Sequence, residues 1–190
     1  MSRKFKEFYE MQDITTGRGV RQEPVYKGAY HRFLIADKAR ARYGALFLSL
    51  SLANMGLFLS AGMLNGIFSR TIYVTVPYAI QFLPAMFLIS SSFGFMRSRG
   101  DLTVPDYRMK FIRIKTMGYI NLLMSSITVA ECALLLFFRR VESGINEVLF
   151  VLFMVLIGAV LAVILVLHQK IEKLSEIIED NQNKMPDENI

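Results

Sequence analysis

Four long, nearly charge-free apolar stretches constrain this chain more than any other feature, and they fix its solvent. They cover about 43–68, 71–96, 116–138 and 148–167. Crossing a hydrocarbon core takes roughly 20 apolar residues at 1.5 Å rise per residue, and each stretch is long enough. A backbone in lipid must satisfy its own hydrogen bonds, which a continuous helix does. The expected fold is therefore all-α: an integral membrane four-helix bundle of up-down topology. Residues 1–42 make a basic N-terminal segment, 43–168 the four-span domain, and 169–190 a charged tail.

The charge of +6 is distributed by topology. Ten Lys or Arg precede the first stretch and six lie between the second and third (Arg97, Arg99, Arg108, Lys110, Arg113, Lys115). Three follow the fourth (Lys170, Lys173, Lys184), whereas the other connections hold only Arg70, Arg139 and Arg140. This positive-inside bias predicts that both termini are cytoplasmic and makes nucleic acid an unneeded partner. The first apolar run begins too late for a cleavable signal peptide, so span one is expected to act as an uncleaved anchor. Cys132 is the only cysteine, which excludes an intrachain disulfide and a CxxC redox pair. His31 and His168 alone make a weak metal site, so none is assigned, and no cofactor either.

Outside the spans, Ser2–Gln12 has the spacing of a short amphipathic helix with Phe5, Phe8, Tyr9 and Gln12 on one face. A membrane-surface anchor and a frayed terminus are both open for it. Thr15–Gly28 reads as an irregular linker, with helical pattern resuming near Tyr30. Gly100-Asp101 reads as a turn, and Thr103 as the N-cap of a helix with Pro105 in its first turn. That helix carries Arg108, Lys110, Arg113 and Lys115, suited to anionic headgroups or to setting topology alone. In the tail, Leu167, Ile171, Leu174 and Ile178 follow the 4-3-4 spacing of a coiled-coil seam. A helix continuing from span four could present that face to a partner or to the chain's own N-terminal segment.

Within the spans, Glu131 stands out. It lies about 10 Å inside the outer end of span three by helical rise. An intramembrane carboxyl is costly, so it should face the bundle interior or water. Gln81 and Asn65 fall in the same outer half and are its candidate companions; Asn54 and Asn121 lie deeper. Pro77 and Pro84 invite a kink in span two. Gly62 and Gly66 form a GxxxG, and Gly158 with Ala162 a small-xxx-small pair, either of which permits close helix approach within the chain or between copies.

No phosphate-binding glycine loop, zinc-protease motif or second intramembrane carboxylate is present, and Ser90, Ser91 and Ser92 have no histidine at an activating spacing. The sequence therefore points to a non-enzymatic accessory, scaffold or interaction subunit at the cytoplasmic membrane face, with the lipid bilayer and another membrane protein or a second copy as partners. A small proton- or cation-coupled transporter or channel using Glu131 is the alternative.

Overall fold

A computed structural model describes residues 9–16, 19–26, 28–139 and 144–178. Four helical segments in it are long and apolar enough to cross a membrane: 37–62, 72–97, 104–138 and 145–172. The first is the single helix α1 (Asp37–Gly62). It starts earlier than its apolar stretch and ends before it. Residues 63–66 form a turn, and a short helix α2 (Ile67–Arg70) completes the stretch.

The second segment is two helices, α3 (Ile72–Ile80) and α4 (Phe82–Arg97). Pro84 has no N–H to return to the Ile80 carbonyl, and the chain breaks at Gln81 one turn earlier. Pro77 and Pro84 are both buried, on the same face. The third segment begins as α5 (Val104–Tyr107), widens into a π-turn (Arg108–Ile112) and continues as α6 (Arg113–Arg139). Thr103 caps it, its hydroxyl accepting from the Asp106 N–H at 3.4 Å. The fourth is α7 (Ile145–Glu172).

Each segment buries one stripe at alternating spacings of three and four, the repeat that lets helices interlock side by side. In α6 the stripe continues from Phe111 and Ile114 through Gly118, Asn121, Ser125, Thr128 and Cys132. In α7 it runs from Glu147, Phe150 and Met154 to Ile164, His168 and Ile171. Helix α1 packs on α4 and α7, while α6 packs on α3, α4 and α7. Large apolar side chains off these stripes, such as Leu52, Leu59, Ile80 and Leu123, are exposed. A bilayer would cover them.

Strands replace the helices expected in the N-terminal segment, near Tyr30 and at the end of the tail, whereas the helix capped by Thr103 is present. Strands β1 (Tyr9–Thr16) and β2 (Gly19–Tyr26) form an antiparallel hairpin. Residues 9–12 are thus extended, not helical, and the rest of the expected N-terminal helix lies outside the described residues. The stretch read as a linker is mostly the second strand. Strand β3 (Tyr30–Phe33) occupies the point where helical pattern was expected to resume, and it is the middle of a second sheet. Its neighbours are β4 (Leu102–Thr103) and β5 (Ser175–Ile178), both antiparallel.

The coiled-coil tail is accordingly corrected. The helix stops at Glu172, Leu174 lies in the turn, and Ile178 is in β5, paired with Tyr30. The physical reason is that β3 offers unpaired backbone groups beside the helix end, and a strand satisfies them where a solvated helix would not. Ile171 is a buried core residue, the end of the α7 stripe rather than the start of an exposed one.

Candidate functional site

Polar groups gather in three zones: the loop end of the bundle, its buried seam, and the end that carries the second sheet. At the loop end Glu147 is only 6% exposed. Its carboxylate accepts from the Ile67 N–H at 2.9 Å, so one anion serves the amino end of α2 while standing in the first turn of α7. Negative charge is favourable at both helix starts. Gly66 and Gly144 make the cradle, since a Cβ at either would stand 2.8 or 2.7 Å from a carboxylate oxygen. Asn146 donates to the Asn65 carbonyl at 3.2 Å, and Arg70 donates to the Asn65 side chain at 3.0 Å.

Along the seam, small hydroxyls and amides join helices. Ser51 of α1 and Ser92 of α4 lie 3.1 Å apart, oxygen to oxygen. Gln81 Nε2 donates to the Thr128 hydroxyl at 3.2 Å, and Ser125 donates to the Met154 carbonyl at 3.0 Å. Such bonds hold helices together where lipid supplies no hydrophobic drive. Not all seam groups are paired. Both amide atoms of Asn121, Asn54 Oδ1, Gln81 Oε1 and Ser91 Oγ are buried without a hydrogen-bond partner.

At the sheet end, aromatic and charged side chains interleave. His168 is fully buried, stacked on Phe111 with ring centroids 4.0 Å apart, and its Nε2 donates to the Phe111 carbonyl at 3.0 Å. That carbonyl lies within the π-turn, whose wider ladder admits a side-chain donor; such turns recur at functional sites. Glu172 Oε2 stands 3.7 Å from His168 Nδ1 and 2.8 Å from Lys115 Nζ. His31 of β3 stacks on Tyr107 at 3.8 Å. Desolvation, with Arg108 nearby, lowers the His31 pKa. Arg32 grips Asp101 through Nε and Nη2, and that hydrogen bonding holds the Asp101 carboxyl below its ordinary value. Tyr26 fastens the hairpin, its hydroxyl donating to the Ala29 carbonyl at 3.1 Å and accepting from the Val104 N–H at 3.2 Å.

The residues singled out in the sequence fall as follows. Glu131, Gln81 and Asn65 do not form one cluster: Gln81 engages Thr128, Asn65 engages Arg70 at the exposed loop end, and Glu131 Oε2 has no hydrogen-bond partner. Glu131 is half-buried, one position off the stripe, which passes through Thr128 and Cys132. Gly62 receives the Tyr78 hydroxyl, which donates to the Phe58 carbonyl, so that glycine serves packing between the first two segments. Gly66 is outside α1 and belongs to the Glu147 cradle; the GxxxG therefore spans a helix end, not a helix face. Gly158 faces Leu122 of α6, while Ala162 is exposed. Of the basic side chains assigned to lipid, Lys110 pairs with Asp106 and Lys115 with Glu172, and Arg113 lies over the Phe87 ring. Arg108 is exposed. Leu167 is half-buried against the core.

Glu147, His168, Asn121 and Thr128 were not singled out for these places. The signal that would have found them is the three-four repeat, on which each of them lies. Among the described residues no group of three His, Cys, Asp or Glu side chains could hold a metal. Comparisons with protein-family models, curated proteins and solved structures return no match for this chain.

Proposed function

We propose that this protein is a non-enzymatic, multi-pass membrane protein acting as an accessory or interaction subunit at the cytoplasmic face. In this proposal the four segments run up and down and both termini are cytoplasmic. The excess of Lys and Arg on the termini and on the 97–115 connection supports that orientation. The observation that carries the interaction role is the β1–β2 hairpin. Its two strands pair with each other and with no other described strand, so their outer edges present backbone N–H and C=O groups that a partner's strand can take up. Tyr26 ties the foot of the hairpin to α5, its hydroxyl accepting from the Val104 N–H.

The test is deletion of 9–25, leaving Tyr26 and the bundle. The full chain is expected to migrate in mild detergent as a complex with itself or another membrane protein, and the deletion variant as a monomer. A monomeric full chain, or a complex indifferent to the deletion, would overturn the interaction role. Replacing Ile171 would be a poor probe, because that side chain is core.

Transport through Glu131 is the second reading, supported by its unpaired Oε2 beside a seam with other unpaired polar atoms. Glu131→Gln keeps shape and hydrogen bonding without the titratable charge, so it should abolish proton-coupled flux in liposomes while leaving thermal stability unchanged. Absence of flux in the wild type across a broad substrate panel would remove this reading.

A further inference from the structure

At the sheet end, α1 and α4 meet backbone to backbone and then part. A Cβ at Gly44 would collide with the Met96 main chain, so only glycine allows this crossing. Beyond the crossing the two helices flank an open cavity of about 720 Å³. Lys38 and Ala41 line it from α1, and Met96, Arg97 and Arg99 from α4 and the residues after it. Arg40 braces one side. Its Nη1 donates to the Gly100 carbonyl at 2.7 Å, and its Nη2 to the Ser98 carbonyl at 3.1 Å and the Asp37 carboxylate at 2.9 Å. Asp37, the acid on the wall, is therefore already neutralised.

Lys38, Arg97 and Arg99 make no ion pair among the described residues. They contrast with Lys110 and Lys115, which are held by Asp106 and Glu172. Three unspent cations over a neutralised carboxylate select an anion. The position selects its source, because the cavity opens where two membrane-length segments, 37–62 and 72–97, begin and end. That is the depth of lipid phosphates. Ala41 and Met96 add an apolar wall, which an inorganic ion does not need and a glycerol backbone with its upper acyl carbons does.

We propose that this cavity binds the headgroup of an anionic phospholipid, Lys38, Arg97 and Arg99 taking the phosphate and Ala41 and Met96 the glycerol and first chain carbons. The site rests on the four segments crossing a bilayer and is independent of the partner bound by the hairpin, so either can fail alone.

The full chain in mild detergent is examined by native mass spectrometry with added phosphatidylglycerol, phosphatidylcholine or inorganic phosphate. Retention of phosphatidylglycerol at least tenfold above phosphatidylcholine is expected. The triple variant Lys38→Gln, Arg97→Gln, Arg99→Gln should lose that preference. Ala41→Trp should lose it too, by filling the exposed wall without altering charge, which protects the test against misfolding of the triple variant. A second triple variant, Arg108→Gln, Arg113→Gln, Lys170→Gln, removes equal charge elsewhere and should retain the preference. Equal retention of the two lipids, loss in the second triple variant, or retention in both cavity variants would overturn the proposal. So would inorganic phosphate that displaces phosphatidylglycerol at equal concentration, because the ligand would then be the soluble ion.

Discussion

The loop end and the sheet end of the bundle close the same helices with opposite chemistry. At the loop end one buried carboxylate meets the amino ends of two helices, in a cradle kept open by two glycines. Helix starts carry partial positive charge, so the anion is satisfied by backbone and no cation has to be buried with it. At the sheet end, side chains do the joining: stacked rings, a histidine donating into a π-turn, and ion pairs across the surface. Cations are in excess there and a cavity opens beside them. The difference teaches where the chain can afford to be soft. Backbone-satisfied closure is compact and takes no second ligand, whereas closure by side chains leaves charges over for something else.

The comparison breaks most visibly at Gly44. A leucine there must displace the Met96 backbone, and overpacking of this kind costs up to about 3 kcal/mol. Gly44→Leu is expected to lower the melting temperature in detergent more than any other single change considered, and a wild-type melting temperature would refute the tight crossing. Next is Glu147→Ala. It removes the charged acceptor of the half-buried bond from the Ile67 N–H, a bond that contributes about 2 kcal/mol. Glu147→Gln should fall between the variant and the wild type, since it keeps an acceptor but not the charge. Equal stability of all three would mean that the cradle does not close the loop end.

A smaller effect of opposite sign is expected in between the two ends. Both amide atoms of Asn121 are buried and unpaired, so Asn121→Leu should stabilise the bundle by about 1 kcal/mol. A loss of stability would show that the amide is engaged in the working protein and would favour a polar path along the seam. The smallest effect is titration, and between about pH 7.5 and 5.5 it should be confined to the sheet end. His31 has its pKa lowered from 6.5 by burial and Arg108, so the fold binds its proton less readily than the unfolded chain does. Its contribution is complete above the unfolded value and is lost as pH falls through the folded one. Asp101 behaves likewise below 3.8, its ordinary value, because Arg32 holds its carboxyl ionised to lower pH. Hydrogen exchange at 30–33 should therefore quicken, relative to intrinsic rates, between pH 7.5 and 5.5, with 67–70 unchanged. Equal quickening at both places would erase the distinction between them.

The four long segments were legible because apolar length is a property of the sequence alone. Thr103 and the Gly100 turn were legible for a similar reason, as local chemistry decides them; Gly100 has the positive φ of 67° that glycine allows. Azimuth was harder. Depth along a helix placed Glu131, Gln81 and Asn65 at one level but could not say which way each faced, and the stripe passes one residue away from Glu131. The strands were missed for two reasons. Gly17-Arg18 between residues 16 and 19 is a hairpin-like interruption that reads equally as loop. Strand β5 has no local signal of its own, because Leu167 to Ile178 carries helical spacing and only β3, distant in sequence, decides otherwise.

The pairing of Tyr30 with Ile178 has a consequence for the order of synthesis. β3 is made before the first long apolar segment and β5 after the last, 145 residues later. At about 5–20 residues per second the ribosome needs on the order of ten seconds or more to supply the missing strand. Through the first half of that interval β3 has none of its described partner strands, and after it only the two-residue strand β4. The second sheet is therefore a seal that forms only on a chain whose four segments have all been delivered. A chain arrested before Ser175 would leave that edge of β3 without the strand that pairs with it in the finished fold.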